Sequence, residues 1–176
     1  MSAKKNTKRL TVSAMLAALS VTLLYLGSFI EVLDLTMAVM ASLFTAVMVI
    51  EYGKGAPWSV FAMTSVLSLI LLPQKFPALM YALFFGYYPV IKEYVERIRS
   101  RIVSWSLKLV IFAFATALLV LLSKLFVPEV DMPAGTLMTV VFIVLSALML
   151  FLYDLALTRV ISYYIIKLRQ RFKKIF

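Results

Sequence analysis

The feature that most constrains this sequence is its series of long apolar runs, each closed by charge or by glycine and proline. Leu10 to Ile30 contains no charged residue and ends at Glu31 and Asp34. A run of ~20 apolar residues is what an α-helix needs to cross the hydrocarbon core of a bilayer. Comparable runs follow at residues 35–50, 57–72, 77–91, 104–122 and 136–158. Hydrophobic residues make up 64% of the 176-residue chain, whereas soluble domains are nearer half apolar. The expectation is an all-α, polytopic membrane protein: one integral membrane domain over residues 1–176 with six transmembrane helices. The first run is too long for a signal-peptide core, and no small-x-small cleavage site follows it, so it is expected to remain as the first span.

The connections carry turn chemistry. "EYGKGAP", with two glycines and a proline, separates the second and third spans, and "PQKFP" separates the third and fourth. Pro57 and Pro77 stand where a helix can start, because a first-turn N–H has no intrahelical partner anyway. Pro89 lies inside the fourth run and should distort its end. In "KEYVERIRSRIV", Tyr94, Val95, Ile98 and Ile102 recur at intervals of three and four against Glu93, Arg97, Arg99 and Arg101. That pattern predicts an amphipathic surface helix over residues 92–103.

Net charge is +10. The cations cluster at segment ends, which points to bilayer orientation and anionic lipid rather than nucleic acid. Six spans put Lys4, Lys5, Lys8, Arg9, Lys54, Lys92, Arg97, Arg99, Arg101 and the tail from Lys167 to Lys174 on one side. Lys75 and Lys124 fall on the other side, among Glu31, Asp34, Glu129 and Asp131. The positive-inside rule then predicts that both termini lie in the cytoplasm.

The absence of Cys and His removes thiol catalysis, disulfides, Cys/His zinc sites and histidine relays. "GKG" at Gly53 to Gly55 lacks the upstream glycine of a phosphate-binding loop, since Met48 occupies that position. No acid pair, nucleophile set or metal cluster stands at a workable spacing. The chain is therefore expected to be no enzyme and to hold neither metal nor cofactor, and any ATP-driven step would need a partner. Asp154 and Lys108 lie near the cytoplasmic ends of their spans. They are expected to form structural ion pairs, with each other or between Asp154 and Arg159, rather than a mid-membrane relay.

A small-molecule site needs an apolar wall with a few convergent polar groups. The outer half offers Phe76, Tyr81, Phe84 and Phe85 as wall, with Tyr81 and Phe85 four apart on one helix face. Tyr25, Thr136 and Thr139 add hydroxyls, and Glu31 and Asp34 add carboxylates above them. The scarcity of charge at membrane depth favours a largely apolar or aromatic ligand.

Within "LTVSAMLAALSV", Ala14 and Ala18 stand four apart, with Ser13 and Ala17 beside them. Helices associate in lipid through close backbone approach across such small residues. The face can serve either a partner or another helix of the same chain. An Ala-x-x-x-Ala face on the first of six spans, behind a basic N-terminus, resembles the substrate-binding S component of energy-coupling factor (ECF) transporters. Size, topology and the glycine/proline turn between spans two and three are similar as well. The resemblance implies a vitamin or micronutrient binder that topples in the bilayer. It also implies that Ala14 and Ala18 dock on a transmembrane T subunit carrying two ATPase subunits. The alternative is a six-span scaffold resembling the rod-shape-determining family, which recruits other membrane proteins.

Overall fold

In a computed structural model, the structure describes residues 2–53, 55–97, 101–126 and 136–168. For residues 2–5, 31, 101–102, 119–126, 136–140, 142–143 and 168 it describes the backbone alone. Every regular element among the described residues is helical. They are α1 (Ser2–Gly27), a 3-10 turn (Glu31–Leu33), α2 (Asp34–Tyr52), α3 (Ala56–Leu71), α4 (Phe76–Met80), a π-helical turn (Tyr81–Phe85) and α5 (Tyr88–Glu96). Then come α6 (Arg101–Phe126), α7 (Thr136–Tyr163) and a second π-helical turn (Tyr164–Leu168).

Helix thus fills each of the six apolar runs. By length and composition, three described stretches suffice to cross a membrane: Asn6–Gly27, Asp34–Tyr52 and Val144–Lys167. Ala56–Leu71 and Val103–Leu118 are apolar but shorter. The 16 residues of α3 rise only ~24 Å at 1.5 Å each, short of a ~30 Å hydrocarbon core.

The turn chemistry read from the sequence holds. Gly53 adopts φ 67° after α2 and donates its N–H to the Val49 carbonyl, a conformation costly for any residue with a Cβ. Pro57 and Pro77 occupy first-turn positions of α3 and α4. Asp34 opens α2, where a carboxylate complements the helix dipole.

The chain has two compact units, Met1–Leu119 and Val120–Phe176, with the boundary inside α6. In the first, α1 packs on α2 and α3, and α2 also touches α4, the π-turn and α5. α1 and α2 both bury small residues where they pack within this unit. Ser13, Ala17 and Ser20 on α1, and Ala38, Ala41, Ser42 and Thr45 on α2, are all buried. The Ser20 hydroxyl donates to the Leu16 carbonyl of its own helix at 2.9 Å and reaches the Ala41 carbonyl of α2 at 3.3 Å. In the second unit α7 runs 28 residues into its π-turn, where the Lys167 ammonium lies 5.5 Å from the Tyr163 ring centre.

The fourth run is broken rather than merely bent. Pro89 cannot donate to the carbonyl four residues back, and the ladder resets upstream of it. Gly86 donates across the wide turn to the Tyr81 carbonyl at 2.7 Å, and Pro89 then sits in the first turn of α5. Of the surface helix expected over residues 92–103, residues 98–100 lie outside the described residues. Residues 92–96 complete α5, Arg97 lies in a turn, and Arg101 to Val103 begin α6. Val90, Lys92 and Val95 are buried as α5 lies against α2, while Tyr94 is 40% exposed.

Candidate functional site

α1 presents two stripes of small residues, and they have different fates. The Ser13–Ala17–Ser20 stripe is buried, together with Val12, Leu16, Val21 and Leu24, where α1 packs on α2 and α3. The neighbouring Thr11–Ala14–Ala18–Thr22 stripe is exposed along its length. Its hydroxyls are turned back into the helix. Thr11 donates to the Thr7 carbonyl at 3.0 Å and Thr22 to the Ala18 carbonyl at 2.9 Å. What remains on the outside is methyl groups, flanked by Met15 and Leu19, which are 49% and 44% exposed. Such a surface allows another helix to approach closely without leaving a polar group unsatisfied.

The aromatic set of the fourth run is arranged differently from the expectation. Tyr81 is fully buried, its hydroxyl 2.9 Å from Thr45 Oγ1 on α2. Thr64 on α3 stands beside the same hydroxyl. The Tyr81 ring lies 6.3 Å from that of Phe61, tilted by 32°. Gly86 makes this possible: a Cβ there would come within 2.7 Å of Tyr81 Cε1 and 2.8 Å of Phe61 Cδ2. Phe85 is buried as well. The pair expected to stack on a ligand is instead part of the packed interior. The hydrogen bond to Thr45, 36 positions away, has no local sequence signal.

The other candidates are dispersed. Phe76 is half-buried at the start of α4. Phe84 is half-buried and sets its ring edge-on against Phe112 of α6 at 5.6 Å. Tyr25 is 42% exposed and pairs edge-to-face with Phe29 at 5.1 Å, the disposition of an interfacial aromatic. Asp34 is buried at the head of α2. Glu31 belongs to the 3-10 turn, and Thr136 and Thr139 to the first turns of α7, but their side chains lie outside the described residues. Glu129 and Asp131 also lie outside them.

One open space is lined entirely by carbon-rich side chains. A crevice of about 430 Å³ lies between the π-turn with α5 and α6, walled by Leu83, Tyr87, Ile91, Ile111, Phe114 and Ala115 among others. Sequence reasoning missed it, because nothing local in the sequence shows that residues of the π-turn, α5 and α6 line one space. Among the described residues no group of His, Cys, Asp and Glu could hold a metal ion.

Comparison with family models, with curated proteins and with solved structures finds no match.

Proposed function

We propose that this chain is a multi-pass protein of a bacterial cytoplasmic membrane, with both termini inside, that acts as the substrate-binding S component of an ECF-type importer. The observation that carries the proposal is the fate of the two α1 stripes. One small-residue face is buried within the chain, while the adjacent face with Ala14 and Ala18 is exposed. Its threonine hydroxyls are internally satisfied, leaving it smooth. Membrane helices with close-packing faces associate through them, because lipid offers little hydrophobic drive for anything else. The partner is a T subunit carrying two ATPases, which supplies the energy this chain has no phosphate-binding loop to harvest. The ligand is a small, largely apolar or aromatic micronutrient. No enzymatic activity or cofactor is part of the proposal.

The test is affinity purification of the full chain from its native membrane under mild detergent, with mass spectrometric identification of what comes with it. A T subunit with ATPase subunits is the expected result, and a small molecule released on denaturation would identify the cargo. Cell-wall synthesis proteins in their place would overturn the transport proposal in favour of a scaffold.

A further inference from the structure

α1 and α3 pack side by side in the first unit, yet they offer a bilayer different heights. The spanning stretch of α1, Asn6–Gly27, has 22 residues, and α3 has 16. At 1.5 Å per residue they rise ~33 Å and ~24 Å, on either side of a ~30 Å hydrocarbon core.

The bundle does not hide α3. Trp58, Ala62, Val66 and Ile70 recur at intervals of four and are all exposed, with Leu67 and Leu71 beside the last two. Residues four apart share a helix face, and this face carries no polar side chain. The polar residues Thr64, Ser65 and Ser68 are buried on the other side of the helix. Both ends of the exposed face are fixed. Trp58, 40% exposed in the first turn of α3, marks the headgroup level, where exposed tryptophan concentrates. At the other end, Lys75 Nζ donates to the Leu72 carbonyl at 2.7 Å. A lysine can snorkel away from a helix end and so lengthen its apolar reach. Here the ammonium is folded back onto that end, and its charge stands level with the last turn. From Trp58 to Leu72 the chain rises ~21 Å.

A helix shorter than the hydrocarbon core gains nothing by tilting, because tilt lowers its projection on the bilayer normal. The bilayer must thin to meet it. We propose that the exposed face of α3 gathers phospholipids with short acyl chains, so that the membrane is thinner along α3 than along α1. The polar limits at its two ends select these lipids. The proposal takes the chain as spanning a membrane, and it is independent of cargo and of the importer complex.

The chain supplies its own reporters. Its two tryptophans are both exposed, Trp58 on the 16 residues of α3 and Trp105 on the 26 residues of α6. The experiment reconstitutes the full chain as single-tryptophan variants, Trp105→Phe to report on α3 and Trp58→Phe to report on α6. The host lipid is brominated dioleoyl phosphatidylcholine, which quenches indole fluorescence on contact. Unbrominated dimyristoleoyl or dierucoyl phosphatidylcholine then competes with it. At Trp58 the short-chain competitor should displace the quencher at least about threefold more effectively than the long-chain one, because the cost of mismatch grows with each ångström. At Trp105 the two should differ by less than about twofold, since α6 is long enough for either. The double change Gln74→Leu, Lys75→Leu extends the apolar end of α3 and should bring the Trp58 ratio down to that of Trp105. Equal competition at Trp58, or the same short-chain preference at both tryptophans, would overturn the proposal. So would an unchanged Trp58 ratio in a double variant that keeps the unmodified thermal midpoint. Should that variant fail to fold, the comparison of the two tryptophans still decides.

Discussion

Removing one oxygen tests whether Tyr81 belongs to the packed interior. The side chain has no exposed surface, and its hydroxyl lies 2.9 Å from the equally buried Thr45 Oγ1. Tyr81→Phe keeps the ring against Phe61 and deletes only the hydrogen bond, leaving the Thr45 hydroxyl where water does not reach. A hydrogen bond between membrane helices contributes about 0.6 kcal/mol on average and up to about 1.7 kcal/mol. Stranding the partner adds to the loss, so the single change should cost about 1–2 kcal/mol. Replacing both groups, Tyr81→Phe with Thr45→Val, removes the stranded hydroxyl. The double variant should therefore be more stable than the sum of the singles predicts, with a coupling of about 0.6–1.7 kcal/mol. Unfolding of the purified protein in mixed micelles, titrated with sodium dodecyl sulfate and followed by circular dichroism, measures all four corners of the cycle. Additive effects, or a neutral Tyr81→Phe, would refute the interior placement. Lost ligand binding at unchanged stability would restore Tyr81 to a ligand wall.

Ala17 and Ala18 are adjacent but on different faces, so they should respond oppositely: Ala17→Leu overpacks the buried face of α1 at about 1–3 kcal/mol, whereas Ala18→Leu should stay within about 0.5 kcal/mol in the isolated protein. The same detergent titration reads both. Gly86→Ala drives a methyl into the rings of Tyr81 and Phe61 and should lower the thermal midpoint by several degrees, in keeping with overpacking of about 1–3 kcal/mol. The absence of native cysteine makes topology directly readable. A cysteine at Gln74 should react with an impermeant reagent applied to intact cells, and cysteines at Asn6 or Arg97 should react only after permeabilisation; the reverse pattern would contradict the proposed orientation.

The helices were legible because apolar runs long enough to be α-helical alternate with residues that cannot continue them. Gly53, Pro57 and Pro77 mark ends and starts that the structure reproduces within a residue or two. Packing between helices was much less legible. Ser13–Ala17 and Ala14–Ala18 are equally good small-residue pairs in the sequence, and only tertiary structure shows that the first is buried. The spacing of Tyr81 and Phe85 suggested one shared face, but it assumed an unbroken α-helix. The π-turn and the reach of Thr45 from α2 turned both rings inward. Amphipathicity over 92–103 was visible, yet periodicity does not say whether an apolar face meets lipid or protein. Val90 and Val95 meet protein.

The central claim is that the exposed stripe of α1 docks on a T subunit. The most direct measurement compares the unmodified chain with Ala14→Leu, Ala18→Leu and the double variant, each co-expressed with the T subunit and ATPases and purified through a tag on this chain. The account predicts that each variant keeps the unmodified protein's thermal midpoint while recovery of the T subunit falls, most in the double variant, because bulk on that face holds the helix backbones apart. Undiminished recovery of the T subunit with the double variant, or loss of stability in the isolated chain, would contradict it.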